Sequence, residues 1–173
     1  SKLRRSWVID FLCMIPLGLP PLMIGIALVV VAFSARFLAL YGTIWVIALG
    51  HVIVFLPIAS RMMQAGLIQI GGEIEEAAGM AGATLFQTFR RITMPLLSAT
   101  TVALTIWVLV HSIREFSIAV MLQSGRNSVL STILYSYWDT GRPERAAALA
   151  VLLMIALLAL VAILSLTRRR LEI

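Results

Sequence analysis

Long runs of apolar residues alternate with short polar segments along this chain. Four of the runs are about as long as the roughly 20 residues that a helix needs to cross a bilayer. They are Phe11–Phe33, Phe37–Ser60, Ser98–Leu122 and Ala146–Leu164. The last contains no polar side chain at all. This pattern predicts an all-α membrane protein, a polytopic bundle of transmembrane helices with four spans.

Three prolines shape the first run, at Pro16, Pro20 and Pro21. Proline lacks the N–H donor and crowds the preceding turn, so these residues cannot all lie inside one regular helix. Because proline is tolerated in a first turn, we predict that the regular helix begins near Pro20 or Pro21. Phe11–Gly18 is then an irregular or interfacial lead-in. The length, the prolines and the later spans argue against a cleaved signal peptide.

Composition agrees with a membrane protein and narrows the class. The chain is 61% hydrophobic and 13% charged, with a mean hydropathy of +1.00, whereas soluble domains carry about a quarter charged residues. Its net charge of +6 could suggest nucleic acid, but the basic residues flank the apolar runs, as in membrane proteins. We therefore expect no nucleic-acid partner. The single cysteine, Cys13, can form no internal disulfide.

The distribution of basic residues predicts the orientation of the spans, because cytosolic loops are enriched in Lys and Arg. An N-terminus in the cytosol places nine basic residues inside and four outside. The inner ones are Lys2, Arg4, Arg5, Arg61, Arg90, Arg91, Arg168, Arg169 and Arg170. The outer ones are Arg36, Arg126, Arg142 and Arg145. Both termini and the segment 71–95 are therefore predicted to be cytosolic, and the segment 123–145 to face outward.

The outer segment has turn signals at both ends, Ser124-Gly125 and Thr140–Pro143. Between them, VLSTILYSYW is amphipathic and ends in aromatics suited to the headgroup level. It is predicted to be a short helix that lies on or dips into the outer surface.

The cytosolic segment 71–95 combines carboxylates with unusually small side chains. Apolar positions recur at helical spacing from about Gly72, and Glu73, Glu75 and Glu76 fall in the first turn, where the helix dipole favours them. A break is expected at Gly79 or Gly82. The segment is either an ordinary amphipathic loop or a docking surface, and its lack of bulk favours docking.

The spacing within this segment resembles the EAA signature of ABC importer permeases. That signature is EAA, three residues, Gly, nine residues and I-x-L-P. The matching positions here are Glu76, Ala77, Ala78, Gly82, Ile92 and Pro95. The sequence departs from the signature only at Met94, which replaces Leu.

The resemblance implies a fold like that of type I ABC importer permeases, in which this loop is the coupling helix. Glu76 would pair with a basic group of a separate ATPase subunit, Ala77 and Ala78 would pack in its cleft, and Gly82 would form the turn. This sequence has no GxxxxGK[ST] motif, so ATP and Mg²⁺ are expected in the partner, with no cofactor bound by this chain.

Other stretches are similar to the ferric iron branch of these permeases, among them SIREFS (112–117) and AAALAVLL (146–153). Thiamine, polyamine and related importers share much of this pattern, so those substrates stay open. The resemblance implies a bacterial inner-membrane protein with further partners: a periplasmic or extracellular binding protein, a second permease copy or half, and lipid. Residues 1–173 would form one permease domain, as a fragment or a C-terminal half.

Ionisable residues within the third run are candidates for the pathway or an outer gate. Arg114 and Glu115 lie about 16 residues into that run, and His111 is one turn earlier. A structural pair or snorkelling to the surface is the alternative. His51 is expected to hydrogen-bond between helices, and neither histidine has the neighbours of a metal site.

Tyr137, Trp138, Asp139 and Arg142 would dock the binding protein, or would belong to an aromatic belt with ordinary surface charges. The rival classes are a secondary transporter or channel without an ATPase, and a membrane enzyme. The first would need more paired charges in the spans, and the second would need carboxylate and histidine clusters.

Overall fold

The computed structural model describes residues 2–34 and 41–171, with side chains over 7–34, 41–74 and 76–164. All regular elements within these ranges are helices. They are α1 (Lys2–Met14), α2 (Pro21–Ser34), α3 (Ile44–Ile70), α4 (Gly72–Met80), α5 (Leu85–Thr88), α6 (Met94–Leu96), α7 (Ser98–Arg114), α8 (Ser117–Leu122), α9 (Leu130–Asp139) and α10 (Pro143–Leu171). The predicted all-α membrane fold is confirmed. Arg36 and Phe37, the predicted start of the second span, lie outside the described residues. The side chains outside the described set include those of Lys2, Arg4, Arg5, Glu75, Arg168, Arg169 and Arg170.

Two helices are long and apolar enough to cross a membrane as they stand. They are Ile44–Ile70 and Pro143–Leu164, with mean hydropathies of 1.9 and 3.2. Two further pairs qualify only together, because each is bent: Trp7–Gly18 with Pro21–Ser34, by 103°, and Leu85–Leu96 with Ser98–Arg114, by 59°. The four predicted spans are therefore reached by length and composition when each bent pair counts as one.

The first predicted span is two helices rather than one. Helix α2 begins at Pro21, as predicted, but the residues before it are more regular than expected. Helix α1 continues through Met14 and a 3₁₀ turn covers Ile15–Gly18, so of the two predicted alternatives the irregular one is wrong for Phe11–Met14, and an interfacial lead-in stays a prediction. Pro16 lies at the start of the 3₁₀ turn, where it removes a backbone donor, and the consecutive Pro20 and Pro21 stand at the start of α2.

The ends of the second and third predicted spans also differ. Helix α3 continues past Ser60 to Ile70, and the Arg61 guanidinium donates to the Gln64 side-chain oxygen at 3.0 Å. The Gln64 amide in turn donates to Asp10 of α1, at 2.6 Å. In the third run the helix ends at Arg114, so Ser98–Leu122 is not one continuous helix. Because the polar side chains at this end have hydrogen-bond partners, α3 continues beyond its apolar run.

The most buried part of the molecule is the short helix α8, packed against α2 and α3. Ile118, Ala119 and Leu122 have no exposed surface. Two glycines allow this approach: a β-carbon at Gly50 would lie 2.6 Å from a methyl group of Ile118, and one at Gly25 would lie 3.0 Å from the β-carbon of Met121. Small residues at such crossings are typical of helix packing in membranes.

The short helix predicted within the segment 123–145 is present. Helix α9 covers Leu130–Asp139, and Gly141 ends it with a φ of +68°. The N–H of Arg142 donates to the carbonyl of Tyr137, and that of Gly141 to Trp138. This pair of bonds is a Schellman motif, which explains why glycine stands at that position.

Candidate functional site

The predicted coupling loop is built from two helices joined by one tight turn at Gly82. Helix α4 ends in a complete Schellman motif: the Ala83 N–H donates to the Ala78 carbonyl and the Gly82 N–H to the Gly79 carbonyl, both at 3.0 Å. Gly82 has a φ of +82° with open space around its α-carbon. The position therefore requires glycine for its backbone conformation and not for lack of room. The predicted break is confirmed at Gly82.

The next helix starts immediately with a reciprocal cap. The Thr84 hydroxyl accepts from the Gln87 N–H at 3.3 Å, and the Gln87 side chain accepts from the Thr84 N–H at 2.9 Å. This capping box satisfies two N–H groups that a helix start would otherwise leave open. The end of one helix and the start of the next are thus fixed within four residues.

A helical segment of mixed geometry links the loop to α7. A five-residue π-helical turn, Phe89–Thr93, precedes α6, and Pro95 lies in the first turn of α6. Pro95 can offer no N–H to the carbonyl of Arg91, four residues earlier, so the wider turn falls where the regular hydrogen bond is missing. Pro95 therefore lies in the short helix α6 that precedes α7, and not in the first turn of α7 itself.

The motif residues occupy different depths. Glu76 and Ala77 are exposed, Ala78 is buried, Ile92 is half-buried and Pro95 is exposed. The expected absence of bulk is only partly right, because Met80 and Leu85 flank the turn with 85% and 92% of their surface exposed. The loop therefore presents a small-residue helix, with one large apolar side chain at its end and another at the start of the next helix.

The three candidate gate residues point to different neighbours. His111 stacks on Trp107, with ring centroids 4.0 Å apart, and its Nδ1 lies 2.8 Å from the Trp107 carbonyl. Arg114 is the exposed last residue of α7 and lines a groove of about 550 Å³ with residues of α9 and α10. Glu115 lies in the break between α7 and α8. The structure does not bring Arg114 and Glu115 together as a pair.

Glu115 turns back toward the start of α8 and toward α3. Its carboxylate accepts from the N–H groups of Ile118, at 3.0 and 3.2 Å, and of Ala119, at 3.4 Å. The same carboxylate lies 3.6 Å from Nε2 of His51. His51 therefore contacts Glu115, which could not be predicted because the two residues are far apart in the sequence. The predicted polar contact of His51 beyond its own helix is made to Glu115, with Nε2 just outside hydrogen-bond distance of the carboxylate.

The predicted outer docking residues cluster at the end of α9. Trp138, Asp139 and Arg142 are exposed, and Tyr137 is half-buried. The Schellman turn at Gly141 sets the direction in which the chain leaves this surface.

Helices that are long and apolar enough to cross a membrane, two as they stand and up to four when each bent pair counts as one, are typical of a multi-pass membrane protein. The chain matches, over residues 1–171, the family described as binding-protein-dependent transport system inner membrane component. It belongs to that family. The predicted membership among ABC permeases is confirmed.

Individual relatives differ in the solute that they are named for. The chain is 28% identical, over 81% of its length, to a candidate 2-aminoethylphosphonate transport system permease protein of Salmonella paratyphi A, of which it covers 52%. It is 29% identical to the sulfate transport system permease protein CysT of Salmonella typhimurium, over 94% of this chain and 63% of that one. It is also 29% identical to an Fe(3+)-transport system permease protein of Haemophilus influenzae, over 76% of this chain and 26% of that one. The chain spans about half the length of the first of these relatives.

Proposed function

We propose that this chain is part of the membrane-spanning subunit of an ATP-driven importer, which moves a small solute by alternating access. The observation that carries the proposal is the loop between α3 and α7. Its turn is fixed by a Schellman motif and a capping box, while Met80 and Leu85 stand exposed beside it. A rigid loop with exposed apolar side chains suits insertion into a cleft of another protein.

The partner would be an ATPase subunit that holds ATP and Mg²⁺. Glu76 is exposed on the first helix of the loop and would meet a basic group there, while the turn would follow the motion of the ATPase. Because α4 follows α3 after one residue and α6 precedes α7, a push on the loop reaches both spans directly. ATP hydrolysis would take place in the ATPase subunit, and the resulting conformational change would take place in the helices of this chain.

The direct test is association of the full-length permease with its ATPase. Glu76→Lys should weaken copurification by about ten-fold or more, because it replaces an attractive charge pair by a repulsive one at an interface. Glu73→Lys is the matched control, since Glu73 is exposed one turn earlier on the same helix. Equal copurification of both variants and the unaltered protein would refute the role of Glu76. No copurification of the unaltered protein with an ATPase would refute the proposal as a whole and would favour a transporter without an ATPase.

Ferric iron is the first candidate substrate, supported by the similarity to the Haemophilus influenzae permease. An oxyanion is the competing candidate. The relatives named for 2-aminoethylphosphonate and sulfate favour it, as does Arg114, which has no carboxylate within 4 Å among the described side chains. Thiamine and polyamines stay as further alternatives. Uptake of labelled ferric iron, 2-aminoethylphosphonate and sulfate by cells with and without the full-length permease decides between them.

The remaining roles belong to the same proposal. The protein would lie in the bacterial inner membrane with both termini in the cytosol. A binding protein would dock at Trp138, Asp139 and Arg142, beside Tyr137. His111, Arg114 and Glu115 would act near an outer gate. The most apolar stretch of α10 contains no residue that is buried within this chain, so lipid or a second permease copy would cover it.

A further inference from the structure

Helices α3 and α7 flank the coupling loop and run antiparallel in one register. Gly66 faces Thr100, Phe55 lies beside His111, and His51 lies beside Glu115. From one pair to the next, the residue number on α3 falls by the same amount as the residue number of its partner rises. The first and last pairs are 15 residues apart on both sides, about 22 Å at 1.5 Å per residue. The pairs therefore mark the inner and outer ends of one interface.

The inner end of this interface is tightly packed. A β-carbon at Gly66 would lie 2.8 Å from the Thr100 hydroxyl oxygen and 2.9 Å from its methyl group. Farther out, Phe55 meets Trp107 edge to face, with ring centroids 5.6 Å apart. Close-packed helices move as a unit, so displacement of the loop would be carried along both of them.

The outer end of the interface is polar. The His51 and Glu115 side chains keep only 16% and 10% of their surface exposed, and Nε2 of His51 lies 3.6 Å from the Glu115 carboxylate. This nitrogen is buried and has no hydrogen-bond partner in the part of the chain that the structure describes. A buried polar group without a hydrogen bond is costly. The Glu115 carboxylate supplies an acceptor for an N–H at Nε2, so the contact joins α3 to the break between α7 and α8.

Glu115 connects this contact to the most buried helix of the molecule. Its carboxylate accepts from the first N–H groups of α8, and α8 packs on α2 and α3 through Ile118 and Met121. The residues Glu115 and Phe116 form the break between α7 and α8. Any change in the direction of the Glu115 side chain therefore bears on how α8 meets α7.

We infer that His51 is a positioning residue that acts through Glu115. By holding the Glu115 carboxylate against α3, it ties the outer end of α3 to the break between α7 and α8, so that a movement imposed at the coupling loop reaches α8. This inference rests on the proposed function, because it requires an ATPase that moves the loop. It adds a residue from a different helix to the candidate gate.

The test measures solute transported per ATP hydrolysed by the full-length permease with its ATPase in liposomes. His51→Leu should lower this ratio about five-fold or more, the lower end of usual coupling effects. His51→Gln should stay close to the unaltered protein, because its amide can donate near the position of Nε2. Thr105→Val is the matched control on α7, since the Thr105 hydroxyl bonds only to the Thr101 carbonyl of its own helix. It should leave the ratio unchanged.

A double variant separates positioning from general packing. His51→Leu combined with Glu115→Ala should lower the ratio no further than the more severe single variant, because both remove one contact. Multiplied effects would overturn the inference, as would equal losses in His51→Leu and His51→Gln, or an unchanged ratio in His51→Leu. His51→Leu leaves the bonds between Glu115 and α8 in place, so it tests the inference even if Glu115→Ala fails to fold. Failure of the unaltered permease to copurify with an ATPase would instead refute the proposed function.

Discussion

The coupling loop and the helix α8 show two different ways to fix a short helix. The loop is held by its own main chain, through the Schellman motif at Gly82 and the capping box of Thr84 and Gln87. Helix α8 has only six residues and is held by its surroundings, with Ile118 and Leu122 fully buried. Local hydrogen bonds leave the surface of the loop exposed, whereas the burial of Ile118, Ala119 and Leu122 fixes α8 in the core.

Glycine serves opposite purposes in the two regions. Gly82 needs its positive φ and has open space around it, while Gly50 lies inside α3 and has no room for a β-carbon. Gly82 is required by its backbone conformation, whereas Gly50 is required by the close approach of Ile118. Substitutions at these positions should therefore fail for different reasons, and that difference can be measured.

The largest effect is expected at Asn127, which anchors the end of α8. Its amide donates to the carbonyls of Thr43 and Leu122, both at 3.0 Å, and its oxygen accepts from the N–H and hydroxyl of Ser124. Asn127→Ala should lower the free energy of unfolding by about 3 kcal/mol, from four hydrogen bonds at roughly 0.5–1.5 kcal/mol each. Thermal unfolding of the purified full-length protein in detergent measures it.

Asn127→Asp sharpens that measurement. The carboxylate keeps the acceptor for Ser124 but turns the amide donor into a second acceptor, which then faces two carbonyl oxygens. It should be at least as destabilising as Asn127→Ala. A stable Asn127→Asp variant would show that the outer turn and not the carbonyl contacts holds α8.

The next effect is expected at Gly50. Gly50→Ala would place a β-carbon 2.6 Å from an Ile118 methyl group, so it should cost about 1–3 kcal/mol of stability, as overpacked cores do. Adding Ile118→Ala should recover part of that cost by removing the methyl group. The same unfolding measurement checks both, and no recovery in the double variant would contradict the packing explanation.

The smallest effect on overall stability is expected in the coupling loop. Gly82→Ala must hold alanine at a φ of +82°, which costs roughly 1–2 kcal/mol for a left-handed residue. Because the strain is local, it should appear as weaker ATPase association more than as a lower melting temperature.

Gly79→Ala is the matched control for this loop. Gly79 lies inside α4 with nothing within 4 Å of a β-carbon, so alanine should stabilise the helix by about 0.5–1 kcal/mol. If Gly79→Ala weakened association as much as Gly82→Ala, contact with the partner rather than the turn would account for both.

The elements that the sequence predicts well are those governed by local rules. Apolar runs locate the helices, Pro21 locates the start of α2, and Gly82 and Gly141 locate two helix ends. The predicted coupling loop was identified by its resemblance to the EAA signature, and its turn could be located at Gly79 or Gly82 because a helix end depends on residues within a few positions of one another. The polar C-terminal end of α3 was harder to predict, because Arg61 interrupts the apolar run. The helix nevertheless continues, and the Arg61 guanidinium donates to the Gln64 side chain within it.

The site around His51 shows what local rules miss. His51 and Glu115 are 64 residues apart, and nothing in either surrounding sequence specifies the other. The division of Ser98–Leu122 into α7 and α8 was equally hidden, since every residue from Phe116 to Leu122 is compatible with a continuing helix. Glu115 stabilises the start of α8 by accepting from its first N–H groups, and α8 is then buried against α2 and α3.

The sequence alone determined the class of protein, the number of apolar runs and the turn of the coupling loop. Hydrophobic length, charge distribution and glycine conformation act on neighbouring residues, so they can be read along the chain. Only the tertiary structure decided that α8 forms the core, that Gly25 and Gly50 make room for it, and that His51 meets Glu115. Those features depend on which helices come together, and that depends on packing between residues far apart in sequence.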